Sequence, residues 1–205
     1  MHPSVLTVLV GLLYILSFGA LSFMRRQGLS VRFAVEGVVI TALFALLPLA
    51  GVTVHVLLFV IVLYLVTMRA RLLVDLGNAF AARGRYERAL ALYRLALRLG
   101  PDVASRRIVL INRGVAELRR QEPETAYNTL EEALSGDSLR LGAKDQAAGC
   151  YNLGLACRRT GREAEAVRRF NQAIDAFPHS IYAEAARQAL KKSQVRPEHG
   201  DAPLR

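Results

Sequence analysis

The sequence predicts an all-α protein in two parts, with apolar helices in the first third and a stack of paired amphipathic helices after it. Two observations predict this. Between Val5 and Met68 the only fully charged side chains are Arg25, Arg26, Arg32 and Glu36, whereas the remaining 137 residues carry every other Lys, Arg, Asp and Glu. Beyond Arg69, small and aromatic residues recur at helical spacing, and the pattern itself repeats at long intervals. Hydrophobic residues make up 53% of the chain, above the soluble average, and the excess sits in the first part.

The first element is Val5 to Met24, 20 residues without a charge. At 1.5 Å per residue this matches the roughly 30 Å hydrocarbon core of a bilayer. A secretory signal would carry positive charge before the apolar run, but here Arg25 and Arg26 come after it, so the segment is expected to stay in the mature protein.

The second apolar stretch, Phe33 to Met68, would measure about 54 Å as a single helix, too long for one crossing. The natural hinge is Leu47-Pro48-Leu49-Ala50-Gly51, since proline breaks the helix and glycine permits the turn. Spans of about 5–24, 34–49 and 53–68 follow, with a kinked or re-entrant arrangement as the alternative for the last two. Arg25, Arg26 and Arg32 fall in the first loop, Arg69 and Arg71 follow the third span, and the second turn is uncharged. The positive-inside rule then places the N-terminus outside and everything after residue 68 in the cytoplasm.

Glu36 is the one acidic group in the apolar part. An intramembrane carboxylate is a functional candidate by default, but its place near the inner interface favours a local pair with Arg32. His55, at the outer turn, reads in the same way. No second ionisable group completes a proton relay. Between Val54 and Gly77 there is neither proline nor glycine, so the third span is expected to run unbroken into the next helix, ending near Arg83.

From Ala70 the chain reads Leu73, Leu76-Gly77, Phe80, Gly84, Tyr86, Ala89, Tyr93, Ala96 and Pro101. A second copy from Ala147 has Cys150, Leu153-Gly154, Cys157, Gly161, Ala166, Phe170, Ala173 and Pro178. Between them a degenerate copy from Arg107 keeps Leu110, Gly114, Ala126, Leu130 and Ala133, but puts Arg113 at the leucine position before the glycine, Glu117 at the aromatic position and Gln121 at the turn glycine. This pattern resembles the tetratricopeptide repeat, with Leu73 in place of the usual tryptophan. The copies sit 37 and 40 residues apart, against a family period of 34, and the surplus falls around Asp102–Ser105 and Gly136–Ala143.

The resemblance implies three helical hairpins over about 70–103, 107–140 and 147–180, in a domain spanning 69–193 after a membrane domain of 1–68. The fold class is then N-terminal transmembrane helices followed by a tetratricopeptide helical-hairpin solenoid. A capping helix over 181–193 is expected to turn Tyr182, Ala185, Ala186 and Leu190 inward and Glu184, Arg187, Lys191 and Lys192 outward. The tail 194–205 reads as disordered.

Carrying the family's groove positions onto this chain gives Val74, Asn78, Ile108, Ile111, Asn112, Val115, Tyr151, Asn152, Leu155, Arg158 and Arg159. Of these, Asn78, Asn112, Tyr151, Asn152, Arg158 and Arg159 are the candidate contacts for a protein or peptide. An amide both donates and accepts, so the asparagines suit an extended backbone, with helix-capping or solvated amides as the other reading. Arginine suits a carboxylate. Asn78 and Asn112 match two asparagines of chaperone-tail-binding members, but the basic clamp positions are Val74, Ala148 and Asn152 here, which puts that ligand in doubt.

The remaining signals are bland. The formal charge of +10 is mostly arginine, without the motif or dense run of a nucleic-acid binder, so no nucleic acid is expected and anionic headgroups of the bilayer are the simpler attraction. Cys150 and Cys157 occupy packing positions and read as core thiols. The four histidines show no metal-ligand spacing, so neither metal nor cofactor is expected. No Ser-His-Asp, Cys-His or phosphate-loop pattern is present, so catalysis is not expected. The expected function is a multi-pass cell-membrane scaffold that holds a partner on the cytoplasmic side. The alternative is an accessory subunit of an integral membrane complex, with the repeats as its docking face.

Overall fold

The computed structural model describes residues 3–24, 30–136 and 141–194, and among them every regular element is helical. Arg25 and Arg26 of the first loop, and the tail beyond Gln194, lie outside the described residues. The chain divides into two compact units, Met1–Asn112 with Leu139–Gly142 and Arg113–Ser138 with Ala143–Arg205.

The first unit begins with α1 (Pro3–Met24) and α2 (Val31–Leu46), the latter capped by Ser30, whose Oγ accepts from Phe33 N. The two helices pack closely because small residues lie where they meet. A Cβ on Gly11 would stand 2.3 Å from Thr41 Oγ1, and one on Gly37 would stand 2.9 Å from Ile15. Thr41 satisfies its hydroxyl by donating to Gly37 O at 2.7 Å. Tyr14, Phe18 and Phe33 form a tilted aromatic cluster with centroids 4.7 to 5.8 Å apart. A 3-10 turn over Leu47–Ala50 ends α2, and Gly51 takes a left-handed conformation (φ 76°). His55 Nδ1 then caps α3 (Val56–Thr67) by accepting from Leu57 N.

Two helical segments, Pro3–Leu21 and Val31–Ala50, are long and apolar enough to cross a membrane. α3 is too short alone, and meets the same test only together with α4 (Arg69–Ala82). The outward faces are greasy: Leu13 is 66% exposed, Leu16 68%, Val31 76% and Leu49 74%.

The expected unbroken helix from the third apolar segment to Arg83 does not form. α3 and α4 are separated at Met68 (φ −101°, ψ 8°), and their axes differ by 73°. The cause is side-chain chemistry in place of proline or glycine. Thr67 Oγ1 donates back to Leu63 O at 2.7 Å, a bond that bends helices. Arg69, one residue past the break, puts its guanidinium on both oxygens of Glu36 in α2, at 2.6 and 2.7 Å, and also donates to Val66 O.

α5 (Tyr86–Arg98) returns antiparallel to α4. A Cβ on Gly77 would lie 2.4 Å from Tyr93 Cε1, so only glycine lets the buried ring sit against the α4 backbone. Ala89 and Ala96 are fully buried beside it. Asp102 then starts α6 (Val103–Arg119), accepting from Ser105 N and Oγ. The extra residues around Asp102–Ser105 are therefore the cap and first turn of a longer helix.

In the second unit, the end of α6 packs on α7 (Pro123–Leu134) with Gly114 against Leu130, where a Cβ would come within 2.5 Å. Two of the three departures from the repeat pattern pair with one another. Arg113 Nε donates to Glu117 Oε1 at 2.8 Å, one turn along the same helix, and the Glu117 side chain is only 3% exposed. Gln121, at the turn position of glycine, adopts φ 67°, alone among described non-glycine residues in having positive φ. Left-handed backbone costs an L-residue about 1–2 kcal/mol, so Gln121→Gly is expected to stabilise this unit by about 1 kcal/mol and raise its melting temperature by a few degrees. An unchanged or lower midpoint in thermal circular dichroism would contradict this.

α8 (Ala143–Arg159) and α9 (Glu163–Ala176) repeat the same joint, with Gly154 against Phe170 and with Ala166 and Ala173 fully buried. α7 and α9 are clamped on their outer sides. Arg169 pairs with Glu131 at 2.7 Å and Glu165 at 3.2 Å, while Arg162 lies 4.0 Å above the Tyr127 ring and pairs with Glu124. α10 (Ile181–Gln194), capped by Ser180, closes the unit. Its inward stripe is Ala183, Ala186 and Ala189, with Tyr182, Ala185 and Leu190 only half-buried beside it, and the Arg187 side chain, 41% exposed, faces solvent. The register is rotated because small side chains let the helix approach closely, which the larger Tyr182 and Leu190 at the centre would prevent.

Candidate functional site

The candidate contacts divide between the units, Asn78 and Asn112 in the first and Tyr151, Asn152, Arg158 and Arg159 in the second. In the first unit, the exposed Asn78 accepts from Tyr93 OH through Oδ1 at 2.6 Å. This bond fixes the amide orientation and satisfies a phenol that burial has pushed up to about 12. Asn112 is half-buried and donates from Nδ2 to Ile108 O, four residues back. Val74 and Ile111, carried over as groove positions, are buried.

In the second unit, Asn152 occupies the same place before its glycine as Asn112 does. It makes the same bond, Nδ2 to Ala148 O at 2.8 Å, and is itself buried. Tyr151 is half-buried, with its ring 5.9 Å from Phe170 and 6.2 Å from Tyr182. The two arginines are tied into the scaffold. Arg158 lies 4.8 Å above the Phe170 ring, donates to Ala189 O at 3.2 Å and approaches Glu163 at 3.5 Å, so it joins α8, α9 and α10. Arg159 donates to Leu118 O at 2.8 Å, satisfying a carbonyl at the end of α6. Both arginines therefore have structural partners that sequence reasoning missed, because a bond to a main-chain carbonyl leaves no trace in residue identity.

Cys150 and Cys157 are free and buried, and burial pushes both thiols up to about 11. A raised pKa leaves stability untouched while thiols are protonated in both folded and unfolded chains. Stability is expected to fall as pH rises above about 9, where only unfolded thiols ionise, through about 11, where the folded ones follow. A urea midpoint that stays level across that window, against its value at neutral pH, would contradict the burial of both groups.

Glu36 is the other chemical cluster. It receives Arg32 Nε at 2.7 Å, the local pair expected, and Arg69, which was not anticipated. Arg32 also donates to Leu99 O at the end of α5. The three charged residues thus tie α2 to both the start and the end of the first repeat hairpin, and no ionisable chain leads away from them through the described helices.

Hairpins of this build, with a small residue on the first helix receiving a large one from the second, define a helical-repeat domain. Two family models described as "Tetratricopeptide repeat" match residues 70–103 and 105–179. Eighteen solved chains match as well. One is the Sgt2 TPR domain from Aspergillus fumigatus, at 24% identity, covering 67% of this chain and 89% of that one with a TM-score of 0.51. No curated protein matches. The chain therefore carries a tetratricopeptide-repeat domain, and domains of this kind serve protein binding.

Proposed function

We propose that the protein is a membrane-anchored scaffold whose repeats hold a protein or peptide partner on the cytoplasmic side, without chemistry of its own. The observation that carries this reading is the direct join between apolar helices with outward-facing leucine and valine and a hairpin of the repeat domain, at the single residue Met68. Large exposed apolar surfaces mark contact with lipid or another protein. α1 and α2 serve as crossings and α3, too short to cross alone, as a kinked third; the start of α1 lies outside, and the arginines of the first loop and of α4 lie inside.

The candidate contacts for the partner are Asn78 and Asn112 in the first unit and Tyr151, Asn152, Arg158 and Arg159 in the second. Geometry refines their roles. Asn112 and Asn152 spend one amide hydrogen on their own helices and keep Oδ1 to accept from a ligand backbone. Arg158 and Arg159 act chiefly by holding the shape of α8, with Tyr151 offering the ring face. A photo-crosslinker at Asn78 or at Tyr151, in intact membranes, should trap a discrete partner. A reporter fused after Arg205 should be active only in the cytoplasm. An externally active reporter, or crosslinking no greater than that of a probe at Ile181, would sink the proposal.

A further inference from the structure

The first repeat hairpin has an edge that its own unit leaves bare. On α4, Leu72, Leu76, Ala79 and Arg83 follow one another at i, i+4, i+7 and i+11, and Leu76 is 49% exposed. On α5, Arg88, Ala91, Leu95 and Arg98 recur at helical spacing, and Leu95 is 44% exposed. Arg88 lies 5.8 Å from the Phe80 ring, which joins the two strips into one face. Leucine flanked by arginine is the composition of a helix that lies in a lipid interface.

Charge and continuity say what covers this face. Residues 69–98 hold seven arginines against Asp75 and Glu87, an excess that anionic headgroups complement. The hairpin starts one residue after α3, and the 73° bend turns it nearly perpendicular to that helix. Its two ends are held by Glu36 and Arg32 of α2, through Arg69 and Leu99 O, at the level where the apolar helices end. A hairpin about 20 Å long, leaving a span at this angle, runs along the bilayer surface.

Resting on the membrane reading above, we propose that the first repeat lies on the bilayer, with Leu76 and Leu95 between the headgroups and Arg83 and Arg88 against anionic phosphates. The array then begins on lipid, where a longer solenoid would place another repeat.

The chain has no tryptophan, so single substitutions report position directly. Full-length Leu76→Trp, Leu95→Trp, Asn78→Trp and Leu13→Trp would be reconstituted in phosphatidylcholine vesicles with brominated acyl chains, with and without phosphatidylglycerol. Leu76→Trp and Leu95→Trp are expected to lose most of their emission, more so with phosphatidylglycerol. Asn78→Trp, on the opposite side of α4, should keep its emission, and Arg83→Gln with Arg88→Gln should remove the phosphatidylglycerol dependence. Quenching of Leu76→Trp and Leu95→Trp no greater than that of Asn78→Trp, with Leu13→Trp strongly quenched, would overturn the proposal alone. Blue-shifted emission without quenching would assign the face to a second copy and overturn it too. Failure to quench Leu13→Trp would remove the membrane reading itself.

Discussion

Replacing Phe170 by alanine is expected to lower the stability of the repeat segment by about 3–5 kcal/mol, the usual cost of emptying a buried aromatic site. The ring is fully buried, meets the Gly154 backbone, faces Tyr151 at 5.9 Å and carries Arg158 at 4.8 Å, so three residues of α8 would line the void and resist its collapse. Gly154→Ala should destabilise for the opposite reason, because its Cβ would stand 2.7 Å from Phe170 Cε1, and overpacking of this kind typically costs about 1–3 kcal/mol. The two sites share one space. The double variant should therefore lose less than the sum, since the added methyl occupies part of the void. Urea denaturation of residues 69–193, followed by circular dichroism, measures all three, and strict additivity would show that glycine and ring are not partners.

The second large effect is expected at Glu36. Glu36→Gln leaves Arg69 and Arg32 facing each other without the carboxylate that accepts from both. Charged hydrogen bonds contribute about 1.5–3 kcal/mol each in favourable sites, but about a quarter of each Glu36 and Arg69 side chain is exposed, so the net loss is set at about 2 kcal/mol. That loss should appear as mobility at the Met68 bend. In reconstituted vesicles, trypsin should cut after Arg69 and Arg71 faster in Glu36→Gln than in the parent. Arg32→Gln should have a smaller effect, because Arg69 keeps its two-pronged contact. Equal cleavage in all three would mean that the ion pairs do not hold the bend.

The repeats were legible because their contacts are written in side-chain size. Gly77, Ala89 and Ala96, or Gly154, Ala166 and Ala173, can each be read as a place where two backbones approach, and the structure uses them so. The degenerate copy is legible as a repeat, and the i, i+4 spacing of Arg113 and Glu117 with opposite charge is the signal of the pair that lets it carry both.

The bend at Met68 was hidden for a different reason. It depends on Thr67 bonding backwards and on Arg69 reaching a carboxylate 33 residues away, and neither resembles a helix-breaking residue. The rotation of α10 was missed because alanines lie on more than one side of that helix, so size alone leaves its register open. Among the candidate contacts, residue type identified groups capable of binding a peptide. Their present engagements, Asn78 with Tyr93, Arg158 with Ala189 and Arg159 with Leu118, arise from tertiary geometry.

Whether the repeat domain is fastened to a bilayer through the helices before it is decided most directly by extraction. Membranes containing the full-length chain, washed with alkaline carbonate, should retain it entirely in the pellet, while a chain starting at Arg69 should be released. Release of the full-length chain into the supernatant would contradict a lipid-embedded anchor.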